Sequence, residues 1–393
     1  MLSKGVCILK KICIVVGSRA NYSSIKTAMK AIADHPELQL QLIVGASAVL
    51  DRYGSVVDLI EKDGFHPDAR VYMLIEGESP VTMAKSTGLG LLELPTTFDN
   101  LKPDVVLTVG DRFETMATTL AAAYMNIPIA HTMGGEVSGT IDESIRHAIT
   151  KFAHIHFPAS QDAYERIVRL GENPEDIHLV GCPRIDLVAE ILRSKIDTVY
   201  LEQVVFAKGV GEKFSLNDPF LLISQHPVTT EYGQGELQIN ETLAAAMESG
   251  LPSLVLWPNA DAGSEQIAKG IRKWREHGRA HRMFFVKNLP VDIYIHLMSR
   301  TACLVGNSSS GIREGAYIGT PTVNIGTRQT GRERGMNVMD VACNPSMIKA
   351  AIEKQISNGR YPLDPIYGNG HAGTKIAEIL SKKDVNIQKR ITY

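Results

Sequence analysis

Apolar residues in this chain come in short unbroken runs, each closed by a small or polar loop and followed by a stretch whose apolar positions recur every three or four residues. Unbroken runs bounded by turn signals read as strands buried on both faces, and the three-to-four spacing reads as helices with one apolar stripe. In the first half the pattern predicts strands over residues 11–16, 40–44, 71–75, 104–109, 127–130, 156–157 and 177–180, separated by helices that include 56–62 and 83–101. In the second half it predicts strands over 219–224, 254–256, 283–286, 303–305 and 322–325, with a helical stretch over 187–207 before them and a last helix over 373–380. Strands alternating with helices make a parallel sheet covered on both faces. The expected fold is α/β, with two doubly wound Rossmann-like domains facing a cleft. Gly181-Cys182-Pro183 breaks the pattern, so the domains are expected to span 1–183 and 184–371, with the C-terminal segment 372–393 packing back on the first.

Open sheets of this kind bind ligands outside the carboxyl ends of their strands. The polar motifs all follow apolar runs: Gly17 to Ser23, Gly110 to Glu114, His131 to Glu143, His226, Asn259, and Ser308 with Ser309. They are expected to converge on one cleft. The clearest is the stretch from Cys303 to Arg328, which reads strand, loop, helix, strand. A Gly and Ser loop opening a helix aims backbone N–H groups at one point, where the helix dipole favours negative charge. That makes a phosphate seat. The alternative is that Asn307 and Ser308 only cap the helix; Arg328, a fork of donors just past the next strand, suits a diphosphate.

Asp111 and Arg112 place an acid and a base at a strand end, although Asp111 could equally cap the next helix. Thr140-Ile-Asp142-Glu143 fits the capping-box pattern, with Glu143 at N3 and Asp142 in the first turn. Pro227 forces an extended backbone at His226, which turns its ring out from the end of the sheet. Asn259 and Asp261 follow Trp257-Pro258 at another strand end, where loop capping competes with function.

With 393 residues, 44% of them hydrophobic and 21% charged, the chain has the makeup of an ordinary globule of about two domains. A net charge of −2 offers no basic field for nucleic acid. No apolar stretch approaches the roughly 18 residues of a membrane span, and residues 12–16 run into a loop and helix rather than a cleavage site. A cytoplasmic protein is expected, bound to neither nucleic acid nor membrane. Five widely spaced cysteines without C-x-x-C argue against disulfides and zinc. No D-x-D marks a metal-dependent transferase, and no G-x-G-x-x-G follows a strand as hydride transfer would require.

Arg19-Ala-Asn-Tyr-Ser23, Gly110-Asp-Arg-Phe-Glu114, Gly134-Gly-Glu-Val-Ser-Gly-Thr-Ile-Asp142, Ser144-Ile-Arg-His147, Gln225-His-Pro-Val-Thr-Thr230, Pro258-Asn259, Gly306-Asn-Ser-Ser309 and Gly326-Thr-Arg-Gln329 together carry a resemblance. The chain resembles the hydrolysing UDP-N-acetylglucosamine 2-epimerases of bacterial sialic acid synthesis, which are similar to the epimerase domain of the bifunctional animal enzyme. The resemblance implies a glycosyltransferase-B-type fold, UDP in the interdomain cleft, and a homodimer or dimer of dimers. It implies UDP-sugar contacts at Arg19, Ser23, Asn259, Ser308, Ser309, Glu314 and Arg328, and chemistry at Asp111, Arg112, Asp142 and His226. The implied reaction eliminates UDP to a glycal and adds water, releasing N-acetylmannosamine without metal or other cofactor. Two positions depart from the family pattern. Met133 stands where relatives often have Glu, which moves base work onto Asp111, Glu136 or Asp142, and Ala48 stands where they often have His. The resemblance leaves two alternatives: a UDP-N,N'-diacetylbacillosamine substrate, and a glycosyltransferase or non-catalytic sugar-nucleotide sensor on the same fold.

Overall fold

A computed structural model of the chain describes residues 9–51, 55–76, 80–138, 141–258, 263–287 and 289–392. The elements of the first part are β1 (Lys10–Val16), α1 (Arg19–Ala33), β2 (Leu38–Gly45), α2 (Val56–Lys62), β3 (Ala69–Val71), α3 (Pro80–Leu101), β4 (Val105–Val109), α4 (Phe113–Tyr124), β5 (Ile129–Thr132), α5 (Ile141–Phe152), β6 (Ile155–Phe157) and α6 (Gln161–Arg169). There follow α7 (Pro183–Arg193), α8 (Thr198–Phe206), β7 (Gly209–Gly211), β8 (Leu221–Ser224), α9 (Gly235–Glu248), β9 (Ser253–Leu256), α10 (Ser264–Glu276), β10 (Met283–Val286), α11 (Val291–Arg300), β11 (Cys303–Gly306), α12 (Ser309–Ile318), β12 (Thr322–Ile325), β13 (Val338–Val341), α13 (Pro345–Asn358) and α14 (Ala372–Lys382).

The chain divides into two units: Met1–Glu136, Ile141–Leu187 and Gly368–Tyr393 form one, and Val137–Thr140 with Val188–Tyr367 form the other. Among the described residues, unit one has a six-stranded sheet in the order β3-β2-β1-β4-β5-β6, parallel throughout. The order reverses between β1 and β4, so the loops after these two strands lie side by side at a switch point. Its core stacks Cys13, Ile43, Val106 and Ile129 against Leu94, Phe98 and Ala117 of the covering helices. Each aliphatic or aromatic side chain buried this way contributes about 1.5–3 kcal/mol. Helix α14 packs on α1, where a Cβ on Gly373 would come within 2.7 Å of the Thr27 backbone. Asp186 caps α14, accepting from Ala372 N at 2.9 Å and Gly373 N at 2.7 Å.

Unit two has a seven-stranded sheet among the described residues, in the order β13-β12-β11-β8-β9-β10-β7, with only β7 antiparallel. Its switch point lies between β8 and β11. Leu221, Ile223, Val255, Phe285, Val305 and Val323 form the inner layer, covered by Ile239, Leu243, Ile267 and Ile352.

The structure departs from the expected pattern at several points. Pro183 does not break the chain: it starts α7, where a missing N–H costs nothing, and the units divide after Leu187. The predicted helix over 187–207 is two helices, because Asp197 Oδ2 accepts from Tyr200 N and starts α8 afresh. Residues 177–180 form no strand beyond a single parallel bridge between Ile177 and His156, and β3 ends at Val71 rather than reaching 75. The edge strands β7 and β13 were not anticipated. Thr140, Asn259 and Asp261 lie outside the described residues.

Candidate active site

At the switch point of unit one, Asn21 joins the two critical loops. Its Oδ1 accepts from Gly17 N and its Nδ2 donates to Val109 O, each at 3.2 Å, so the ends of β1 and β4 are held together from inside α1. Gly17 has no room for a side chain, since a Cβ would sit 2.3 Å from Glu114 Cγ. Glu114 is buried there, with Arg112 Nε 3.2 Å from its Oε1. Arg112 is thus part of an ion pair at the strand end, with its side chain 44% exposed.

Asp111 is held by a residue that sequence reasoning did not single out. Arg146, in the middle of α5, donates from Nε to Asp111 Oδ2 at 2.8 Å and again from Nη2. Its Nη1 donates to the Glu136 carbonyl at 2.6 Å. The Arg146 side chain is 3% exposed against 24% for Asp111, so a buried fork presents a carboxylate that solvent can reach. Asp142 lies four residues before Arg146 on the same helix and therefore on the same face. The three carboxyl-bearing residues Asp111, Glu136 and Asp142 are organised around one guanidinium or its helix. The sequence signal was present in the Asp142 to Arg146 spacing, but nothing local said that Arg146 would turn inward.

The glycines before α5 have steric reasons of their own. A Cβ on Gly134 would lie 3.0 Å from both His131 Nδ1 and Thr150 Oγ1, and one on Gly135, at φ 76°, would lie 2.2 Å from Ala163 O. His131 is fully buried and donates from Nε2 to Gly110 O at 2.9 Å, which fixes the peptide just before Asp111. Burial outweighs that bond and pushes its pKa down to about 4, so the ring is neutral. Met133 adopts φ 60°, with its Sδ 3.6 Å from Cys182 Sγ. An apolar side chain in a left-handed conformation here stores of order 1 kcal/mol of strain.

Arg19 and Ser23 sit in the first turns of α1. Ser18 caps the helix, accepting from Asn21 N at 3.2 Å; Ser23 Oγ donates back to Arg19 O at 2.6 Å; and Arg19 Nε is buried without a hydrogen-bond partner.

In unit two the loop after β11 closes on the loop after β8. Asn307 Oδ1 accepts from His226 N at 2.7 Å while its Nδ2 donates to His226 O at 2.9 Å, so Asn307 positions the His226 backbone. Gly306, at φ 139°, permits this approach: a Cβ would fall 2.1 Å from Ser224 O. Arg328 Nη1 and Gln329 Nε2 donate to Asn307 O at 3.2 and 2.9 Å. Ser308 is the N-cap of α12, accepting from Ser310 N at 3.4 Å, and Ser309 begins the helix. Tyr294 and Ser308 both contact Ser310 Oγ, at 2.6 and 2.8 Å. Capping and anion binding are compatible here, because the cap occupies one N–H and leaves the helix dipole pointing at the loop. Glu314 is buried one turn on. In the same unit, burial pushes the Cys303 thiol up to about 12, which makes it a core residue and no nucleophile.

The chain is 32% identical over 373 residues to a Legionella pneumophila protein named UDP-N,N'-diacetylbacillosamine 2-epimerase (hydrolyzing), covering 95% of this chain and 96% of that one. It is 29% identical over 389 residues to the UDP-N-acetylglucosamine 2-epimerase of Neisseria meningitidis serogroup B, covering 97% and 98%. Among solved structures, that of UDP-GlcNAc 2-epimerase from Neisseria meningitidis bound to UDP-GlcNAc superposes with a TM-score of 0.80 at 18% identity, covering 95% of this chain and 100% of the other. The Methanocaldococcus jannaschii enzyme in complex with UDP-GlcNAc and UDP gives 0.78 at 17% identity, covering 95% and 100%. The fold is accordingly of the glycosyltransferase-B type, with two Rossmann-like domains. Residues 30–381 match the model of the UDP-N-acetylglucosamine 2-epimerase family, and the chain belongs to that family.

Proposed function

We propose that this enzyme converts UDP-N-acetylglucosamine and water to N-acetylmannosamine and UDP. The C2 proton leaves to a carboxylate, its electron pair forms the C1–C2 double bond, and the C1–O bond to UDP breaks with UDP taking that pair. Water then adds across the double bond, its hydroxyl to C1 and a proton to C2 from the opposite face. In this reading unit two carries the nucleotide groups: the N-terminus of α12 with Ser308 and Ser309, Arg328, Glu314 and Asn259, with His226 assisting departure of UDP. Arg19 and Ser23 add contacts to the nucleotide sugar. Unit one moves the protons: Asp111 takes the C2 proton, Asp142 returns one, Glu136 orients the incoming water, and Arg112 lends positive charge beside Asp111.

The observation that carries this reading is the grip of one buried guanidinium on both the Asp111 carboxylate and the Glu136 peptide. Proton transfer at a weakly acidic carbon needs a base fixed within a fraction of an ångström, and a buried fork supplies that. A second reading, with UDP-N,N'-diacetylbacillosamine as substrate, is favoured by the name of the Legionella relative. Measuring kcat/KM for both nucleotide sugars, in EDTA and with no acceptor, tests the choice. UDP-N-acetylglucosamine is expected to turn over faster; the reverse order supports the second reading, and a strict acceptor requirement overturns both. On the first reading the product feeds acetylated amino-sugar synthesis of the sialic acid type.

A further inference from the structure

Helix α5 holds Asp111 through Arg146 and lies against the His131 ring that bonds the preceding peptide. Arg146 takes its carboxylate, and Thr150 Oγ1 lies 3.4 Å from His131 Nδ1, whose ring bonds through Nε2 to the carbonyl of Gly110, the residue before Asp111. The position of α5 therefore bears on the position of Asp111. At the far end of α5 an ammonium group from the C-terminal segment gathers the last carbonyls, beside the ties made by Lys151 and by His154 N to Ile129 O at 2.7 Å. Lys389 Nζ donates to Ala153 O, to Lys151 O at 2.8 Å and to Thr150 O at 3.5 Å, and pairs with Glu172 Oε2 at 2.6 Å.

Cations that satisfy the last carbonyls of a helix usually come from its own final turn. Here the final-turn Lys151 points elsewhere, to Leu170 O at 3.0 Å and Glu172 Oε1 at 2.6 Å. Its place is taken by a residue 236 positions from Ala153 in sequence. Glu172, 3% exposed, also accepts from His156 Nε2 at 3.1 Å, so the anchor is a buried and fully engaged carboxylate. The segment bearing Lys389 follows α14 without regular structure and is pinned elsewhere on unit one. Lys383 Nζ reaches Asp176 at 2.7 Å and Glu175 O at 2.6 Å, His154 Nε2 donates to Ile387 O at 3.1 Å, and Thr392 N donates to Gly171 O at 3.1 Å.

We propose that Lys389 is a positioning residue: the C-terminal segment is a strap that fixes α5 along its axis and thereby sets Asp111 for proton transfer. This role for the strap rests on the role given to Asp111 above. A helix rises about 1.5 Å per residue, so Arg146 and Lys151 are about 8 Å apart along one stiff rod. A slip of about 1 Å at the capped end reaches Asp111 nearly undiminished, and misplacement on that scale costs about 100-fold in rate.

The test pairs two lysines of the same strap. Lys389→Met is expected to lower kcat about 100-fold while leaving the Kd for UDP within about twofold, because Lys389 touches none of the groups assigned to the nucleotide. Lys383→Met removes a comparable tether that does not touch α5, and its kcat should stay within about twofold of the parent. Parental kcat in Lys389→Met, or an equal loss in Lys383→Met, overturns the proposal. If Lys389→Met does not fold, Lys389→Gln, which keeps an N–H donor for the carbonyls, should still lose about tenfold in kcat, and parental turnover there is equally fatal. A second readout needs no turnover: the ¹⁵N–¹H signal of Arg146 Nε should shift and exchange faster in Lys389→Met. Absence of activity in the parent would sink the functional reading alone, whereas an unchanged Arg146 signal in the variant would sink the strap.

Discussion

Replacing Arg146 by lysine isolates the geometry of the fork from its charge. The guanidinium makes two bonds to Asp111 Oδ2 and one to Glu136 O, all from a side chain that is 3% exposed. An ammonium group on a flexible stem keeps the charge but cannot reproduce the planar fork. A hydrogen bond to a charged group is worth about 1.5–3 kcal/mol. Asp111 is 24% exposed, so water recovers part of that loss. The buried Glu136 carbonyl has no such recourse, and leaving it unpaired costs about 1–3 kcal/mol. Arg146→Lys should therefore destabilise unit one by about 2–4 kcal/mol and reduce kcat by about 100-fold, the usual consequence of a misplaced catalytic group. UDP affinity should hold, since the nucleotide groups are elsewhere. Steady-state UDP release, urea unfolding and calorimetric UDP titration on the one variant supply all three numbers. Turnover within twofold of the parent would show that Asp111 does not need this fork, and the assignment of Asp111 as the base would fall with it.

Three further outcomes are expected. His131 has a folded pKa of about 4 against 6.5 unfolded, so between these values the unfolded chain binds the extra proton. Its contribution is fully present above pH 6.5 and is lost as pH falls toward 4, by about 3 kcal/mol at most; urea midpoints across that window should be flatter in His131→Gln, and equal slopes would refute the neutral buried ring. Arg328→Ala, and Ser308→Ala combined with Ser309→Ala, should each weaken UDP binding by about 1.5–3 kcal/mol, with calorimetric affinities equal to the parent's counting against the phosphate seat. Asp142→Asn should lower kcat by about 10²–10⁴ with UDP affinity kept, whereas near-parental turnover would reduce Asp142 to a first-turn acid worth about 0.3–1 kcal/mol to α5.

Both sheets were legible because their central strands are buried on both faces and so are almost wholly apolar, as residues 12–16 and, with Thr108 the one polar residue, 105–109 illustrate. The edges were not. Strand β13 is only partly buried and contains Asp340, and β7 is Gly-Val-Gly, so neither carries the apolar signature of a central strand. Residues 187–207 looked like one helix because apolar positions recur on both sides of Ser194-Lys195-Ile196-Asp197, and the Asp197 side chain, bonding to Tyr200 N, starts the second helix afresh. At the site, loops at strand ends were predictable from topology, which is why Asp111, His226 and Ser308 stood out. The holding roles of Arg146 and Asn307 were not legible, because each acts across a long stretch of sequence: Arg146 reaches back 35 residues to Asp111, and Asn307 reaches back 81 to His226. The contact of Lys389 with the end of α5 was hidden for the same reason. The Gly134-Gly135 pair looked like a functional loop, and its steric need is set by His131, Thr150 and Ala163, which no local pattern connects to it.

The central claim is that the enzyme removes the C2 proton, expels UDP and then adds water. Incubation with UDP-N-acetylglucosamine in D₂O, followed by ¹H NMR, tests each part in one tube. The account predicts free N-acetylmannosamine in equal amount with UDP, without acceptor, and with deuterium in place of hydrogen at C2. A product that retains its C2 hydrogen, or a mannosamine still attached to UDP with no free sugar, would contradict it.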